Sequence, residues 1–380
     1  MAYDYLIVGA GFTGAVCARQ LADAGKRVLI IDKRDHIGGN AYDYEERGVR
    51  IHKYGPHIFH TNSDTVFNWL SQFTEWRPYE HRVLAVVDGK TVPFPINIDT
   101  LNQFLGVEFD EADMRDFIEA AVHTSWDKTK LIVTAEDQCL ATVGRDLYET
   151  FFKGYTTKMW GITPDKLDKS VTARIPLRFN HDDRYFTDKH QAMPKEGYTA
   201  LFERMLDHPR ITVELGAKVL RPVFTIGHVI WTGPIDEYFL DQSDKDGKPV
   251  FGPLPYRSLK FQHSAWETYP PVYQMPTTTI NFPGERMGTR ITEWARLQGE
   301  PAAVSTLTCE YPIDEGEPFY PVPSAESKAL YKRYQALADN EPNVTFLGRL
   351  GTYSYLNMDQ AVGQALAASS RLLSVTPLTV

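Results

Sequence analysis

The sequence predicts an α/β protein: a discontinuous Rossmann-like nucleotide-binding domain with an inserted helical bundle and an antiparallel β-sheet domain. Three observations predict it. The chain opens on an apolar run, a glycine-rich turn, a helical stretch and a second apolar run. Residues from about 98 to 150 read as helix, and the text after Pro176 breaks into short β-rich runs separated by turn residues. A strand, glycine loop and long helix near the C-terminus then return the chain to the nucleotide domain.

Taken in order, YLIV (5–8) is a buried-strand run and GAGFTG follows it directly. AVCARQLADAG is a helix stopped by Gly25, and VLIID is a strand ending in Asp32. Gly9, Gly11 and Gly14 therefore stand where a βαβ unit needs a tight turn, a close approach of backbone to a pyrophosphate, and close packing of helix on strand. Asp32 is placed for a ribose hydroxyl. In DKRDHIGGN, Gly38 and Gly39 let a second backbone segment pass close to a diphosphate and ribityl chain, which favours FAD over NAD. The glycine fingerprint does not recur, so a separate pyridine-nucleotide domain is not expected. Such a flavoprotein either oxidises its substrate or uses the flavin for something other than net redox.

HKYGPHIFHTN combines a Gly-Pro turn with His57 and His60. Apolar recurrences in TLNQFLG, DMRDFIEAAV and DLYETFF predict the helices of the insertion. LRFN, RYFT, ITVEL, VIWTG, TTTINF, TRITEW and VSTLTCEY are the short β runs; SKALYKRYQALAD is an amphipathic helix, and DQSDKDGKP (241–249) is an exposed loop. The expected boundaries are 1–77, 191–236 and 323–380 for the nucleotide domain, 98–150 for the bundle, and 78–97, 151–190 and 237–322 for the sheet domain.

At 380 residues the chain can bury a large core without staples. A net charge of −9 argues against nucleic acid, whose binding needs clustered Lys and Arg. Cys17, Cys139 and Cys309 lie far apart and lack metal-ligand spacing, so neither a disulfide framework nor a metal site is expected. The opening MAYDYLIVGAG has no basic, cleavable leader, and no apolar run reaches the roughly 20 residues a membrane helix needs. A soluble cytoplasmic protein is expected.

GAGFTG, HIGGNAYD, HKYGPHIFHTN, KGYTTKMWG, ARIPLRFN, YFTDKHQAMPKEGY, GPIDEYF, PYRSLKF, TRITEW and GRLGTYSYLNMD fall in the order and spacing of the bacterial UDP-galactopyranose mutase family, which the chain resembles over nearly its whole length. The resemblance implies a homodimer that interconverts UDP-galactopyranose and UDP-galactofuranose for cell-surface polysaccharide. N5 of reduced FAD would attack the anomeric carbon as UDP departs, with no net redox. It places uracil on Tyr155, with Phe151, Phe152 and Thr156 around the base and Trp160 by the sugar and ribose. Tyr155 with Phe151, and Trp160 with Thr156, also share helix faces at i, i+4, as core aromatics would. Arg174 and Arg290 match the phosphate arginines, a natural pair of guanidinium forks for a diphosphate in an acidic protein. Tyr185, Tyr320 and Tyr355 match phosphate-binding tyrosines, and His81 and Asn281 match substrate contacts.

For FAD, the resemblance assigns Phe12, Thr13, Asp32, Lys33, Asn40, His57, Ile58, Val219, Arg349, Met358 and Asp359, with His57 beside N5. A helix opening near Met358 would aim its positive end at the flavin's N1–O2 edge. Two departures stand out. Asn357 replaces the aspartate of many relatives, and the stretch from Asp241 to Val250 is longer than usual. A mutase for an N-acetylated or 6-deoxy galactose nucleotide remains open beside the main reading. So do a flavin oxidoreductase of the amine-oxidase type and a non-catalytic flavin-binding protein.

Overall fold

The computed structural model describes residues 3–219, 227–240, 251–284 and 288–374; the expected loop at 241–249 and the lengthened stretch around it lie outside them. The nucleotide half is built on five parallel strands in the order Ile211–Leu215, Val28–Asp32, Tyr5–Val8, His228–Trp231, Val344–Phe346. The three central strands are short and mostly buried, as strands of a helix-covered parallel sheet are, whereas the edge strand Ile211–Leu215 is largely exposed. Phe12–Asp23 packs on the C-terminal helix Met358–Ser374, and Val16, Cys17, Leu21, Val362, Ala365 and Ala368 are buried in their common core. The glycine turn follows the expected logic. Gly9 has a φ of +108°, and a Cβ on Gly14 would lie 1.9 Å from the Gly9 carbonyl oxygen, so only glycine lets this helix approach the strand so closely.

The insertion holds helices Ile98–Leu105, Glu111–Ser125 and Ala135–Thr142, each started by a side-chain cap from Asn97, Asp110 or Thr134. The next helical stretch departs from expectation. Tyr148–Lys153 is a π-helix that runs into the α-helix Gly154–Trp160, which for brevity we call the base helix. Its wider turns send Phe151 into the insertion's core beside Phe94 and Phe104, while Tyr155 packs against the separate cluster of Met159, Trp160, Leu259 and Phe319. Both side chains nevertheless line one cavity. π-turns concentrate at functional sites, and this one sits at the cavity described below.

The substrate half is a seven-stranded sheet in the order Tyr320–Pro321, Tyr256–Glu267, Val304–Ile313, Arg290–Glu293, Thr279–Asn281, Val83–Val87, Lys90–Phe94. It is antiparallel except where Thr279–Asn281 runs parallel to Val83–Val87. LRFN and RYFT are not strands. They form an irregular loop, held where the guanidinium of buried Arg178 donates to the carbonyls of Asp182 and Arg184. ITVEL and VIWTG join the parallel sheet, within the 191–236 segment expected to return to the nucleotide domain. A small sheet of Phe59–Thr61, His190–Pro194 and Trp76–Pro78 also forms. Among the described residues, no helix is long and apolar enough to cross a membrane.

Candidate active site

Two cavities adjoin each other, the first at the carboxyl ends of the parallel strands, where such sheets place their ligands. The first is a groove lined by Gly9, Gly11, Phe12, Thr13, Asp32, Lys33, Gly38, Gly39, Asn40, Val219 and the Gly348–Leu350 turn. A dinucleotide's diphosphate fits here on the evidence of the backbone. A Cβ on Gly39, at φ +55°, would lie 2.8 Å from Gly11 Cα, so the two glycine segments meet in a cradle that any side chain would fill. Asp32 accepts the backbone N–H of Ala10 at 2.7 Å and of Arg34 at 2.8 Å, fixing that cradle while its carboxylate still lines the groove. Lys33 reaches Glu317, from the substrate half, at 2.9 Å across the groove.

The second cavity encloses about 710 Å³. Its sheet-side wall includes a cross-strand row beside that of Phe94, Val83 and Thr279. Ala85, Asn281, Arg290 and Glu310 are successive ladder partners and so share a face. Phe151, Phe152, Tyr155 and Thr156 close one end; His81, Arg174, Tyr185, Tyr320 and Tyr355 complete the lining. His57, Arg349, Asn357 and Met358 line both cavities and form the wall between them. Ile58 and Asp359, expected at the cofactor, line the second cavity. Asp359 accepts from Thr61 at 2.9 Å through one oxygen and keeps its other oxygen buried with no hydrogen-bond partner. Gly14 lines neither cavity, in keeping with its packing role. Trp160 does not line the second cavity. Its ring is buried behind Tyr320, edge-on at 6.2 Å, so it supports that tyrosine rather than forming the wall.

The electrostatics of the second cavity are cationic at its centre. Burial would discharge Arg290, but Glu310 and the surrounding tyrosines outweigh it and hold the guanidinium firmly protonated. Nε of Arg290 is 3.1 Å from the Glu310 carboxylate. Sequence reasoning missed Glu310. The available signal was a lone carboxylate alternating with Cys309 and Tyr311 in an otherwise uncharged β run. Arg174 is kept charged by Tyr355 against the effect of burial, and its guanidinium lies 4.5 Å above that ring. Tyr355 would be raised by burial, yet Arg174, Arg349 and Arg290 together pull it below a tyrosine's ordinary value. Its stacked neighbour Tyr320, 5.8 Å away, is pushed up by burial and by Tyr355.

That asymmetry predicts a pH effect. A Tyr355 phenolate would cancel cationic charge, so affinity for a diphosphate should fall as pH rises, beginning well below tyrosine's ordinary value of about 10. Titration of holoprotein with UDP from pH 7 to 9.5 checks this, and Tyr355→Phe should flatten the alkaline part of the profile. A wild-type profile that Tyr355→Phe leaves unchanged would refute it.

His57 and His81 are neutral. Burial, then His52, holds His57 down to about 3, and burial, then Arg290, does the same for His81. His57 Nδ1–H donates to the Gly55 carbonyl at 2.8 Å, and its backbone N–H donates to His52 Nδ1 at 3.1 Å. With Nδ1 carrying the proton, Nε2 of His57 is an acceptor. His60, noted in the sequence beside His57 but given no role there, lines the second cavity beneath the stacked ring of Phe186 and pairs with Asp188 at 2.9 Å.

A glycine-cradled nucleotide groove shares four residues with an arginine- and tyrosine-lined cavity, the class of arrangement that suits a dinucleotide-binding enzyme with an anion site beside its cofactor. The profile of the UDP-galactopyranose mutase family matches residues 150–355, and that of the NAD(P)-binding Rossmann-like domains matches 7–73. Over 98% of this chain and 95% of the relative, a probable UDP-galactopyranose mutase of Klebsiella pneumoniae is 41% identical. A dTDP-fucopyranose mutase of Escherichia coli is 37% identical over 95% of this chain and 96% of its own. The crystal structure of a reduced UDP-galactopyranose mutase superposes with a TM-score of 0.79 at 16% identity, covering 99% of this chain and 95% of that one. The chain belongs to the UDP-galactopyranose mutase family. It is accordingly a mutase, an isomerase that binds FAD.

Proposed function

We propose that this protein interconverts UDP-galactopyranose and UDP-galactofuranose with no net redox, and that its FAD must be reduced for turnover. The observation that supports this most is the wall shared by the two cavities: a flavin held in the first groove would meet there a sugar held in the second cavity, where Arg174 and Arg290 would take its diphosphate. Bound and reduced, FAD supplies a nucleophile at N5. The remaining work falls to side chains. Tyr155 stacks the base, with Phe151, Phe152 and Thr156 around it. Asn281, beside Arg290 in the cross-strand row, meets the ribose or phosphate. Arg174 and Arg290 hold the departing diphosphate, helped by hydroxyls of Tyr185, Tyr320 and Tyr355, and thereby stabilise the charge that develops as the glycosidic bond breaks. Glu310 keeps the Arg290 fork aimed. His57 Nε2, Asn357 and the buried free oxygen of Asp359 accept from flavin or sugar N–H and O–H groups.

Dithionite-reduced holoprotein, held anaerobically with UDP-galactopyranose, is expected to give the furanose on chromatography without stoichiometric loss of reductant. No furanose, or equal turnover by fully oxidised protein, would overturn the reading. The E. coli relative supports a second reading, a 6-deoxy galactose carried on thymidine diphosphate. The same assay with dTDP-fucopyranose decides between them by kcat/KM. A cytoplasmic homodimer feeding a cell-surface polysaccharide goes with the main reading, and sedimentation of the holoprotein tests the dimer.

A further inference from the structure

The base helix and the hairpin that carries Asn281 and Arg290 come from distant parts of the chain, yet they must hold two ends of one ligand. One side chain joins them. Lys158 Nζ donates to the carbonyls of Phe282 at 2.5 Å, Gly284 at 2.7 Å and Gly288 at 3.3 Å. These carbonyls belong to the chain that leaves Asn281 and re-enters at Arg290, and the hairpin closes below them where Phe282 N–H donates to Thr289 O at 2.9 Å. One helical turn before Lys158, at i, i+4 on the same face, Gly154 lets the Pro283 carbonyl seat against the helix. A Cβ there would lie 2.3 Å from that oxygen. Tyr155 and Thr156 meanwhile line the cavity. A charged donor on several main-chain acceptors makes a stronger tie than neutral hydrogen bonds would.

We propose that Lys158, seated by Gly154, is a positioning residue that fixes the separation of the base shelf at Tyr155 from the diphosphate site at Asn281 and Arg290, so that a nucleoside diphosphate is bound at both ends at once. This rests on the nucleotide-sugar reading of the second cavity. The tie acts through preorganisation: with it, binding the base delivers the diphosphate to its arginines, and without it the second contact must be found anew. Its signature is that a ligand spanning both elements suffers, whereas one touching only the base shelf does not.

The test is titration of FAD-loaded Lys158→Met with UDP and with uridine, the latter by saturation-transfer NMR, beside wild type. UDP should bind at least about 10-fold more weakly and uridine within about twofold of wild type, with kcat reduced and the flavin spectrum retained. Lys158→Arg should recover part of the UDP affinity. Gly154→Ala, which pushes the Pro283 carbonyl away without touching the charge, should give the same selective loss, and it decides the matter if Lys158→Met does not fold. Equal weakening of both ligands would show that Lys158 merely holds the helix together, and no weakening of either would show no tie at all; each overturns the proposal. Wild-type protein that binds uridine but not UDP would overturn the reading of the cavity itself.

Discussion

Replacing Arg290 with alanine should lower kcat by something like 10²-fold or more in reduced enzyme, with UDP affinity falling as well. The structure adds a condition. Arg290→Ala leaves Glu310 buried opposite nothing, and an uncompensated buried charge costs on the order of 3–5 kcal/mol unless the carboxyl takes up a proton. Some of the loss in the single variant would then come from a distorted sheet rather than from the missing cation. Arg290→Ala combined with Glu310→Gln removes that component, and its kcat should remain depressed. Arg290→Lys should recover only part, since an ammonium cannot reproduce a fork. Arg174→Ala should fail in the same way, and the double arginine variant should lose less than the product of the singles if both hold one diphosphate. Near-normal turnover and UDP binding in Arg290→Ala would show that the phosphate has been misplaced, and with it the flavin face on which the sugar sits.

Gly39→Val should abolish FAD binding while leaving the parallel sheet formed. The position has a φ of +55°, which a β-branched residue adopts only with strain, and its Cβ would lie 2.8 Å from Gly11 Cα. The two glycine segments would be forced apart at the point where the diphosphate must lie. Purified protein should be colourless and inactive, with near-native far-ultraviolet dichroism. A yellow Gly39→Val protein with wild-type flavin content would refute the placement of the diphosphate.

The parts of this molecule that could be read from sequence are those whose signal is local. YLIV, GAGFTG and VLIID each announce themselves within a few residues, and the structure reproduces both strand boundaries. The caps on the insertion's helices are equally local. LRFN and RYFT have strand-like composition, but a strand also needs a neighbour. Here RYFT makes a single-residue bridge from Arg184 to Arg82 and does not extend it, and the Arg178 guanidinium holds the Asp182 and Arg184 carbonyls between the two runs. Glu310 escaped notice because its meaning lies in its partner on the adjacent strand. The π-turns before the base helix escaped for a related reason: a regular 3.6-residue period was assumed where the chain widens by one residue. Trp160 was assigned by resemblance, and the structure sets it one layer behind the cavity.

The wall between the cavities brings together His57, Arg349, Asn357 and Met358, and the last strand of the parallel sheet begins only at Val344. A chain emerging from the ribosome therefore carries the glycine turn from the start but cannot finish the groove until Met358 and the helix behind it are free to dock. The first strands, helix and turn can form early, as domains folding from the N-terminus do, yet they offer a nucleotide only an open shelf. Retention of the flavin must wait until Met358 and the helix behind it have been made. The coloured protein thus reports that both halves of the discontinuous domain have been brought together.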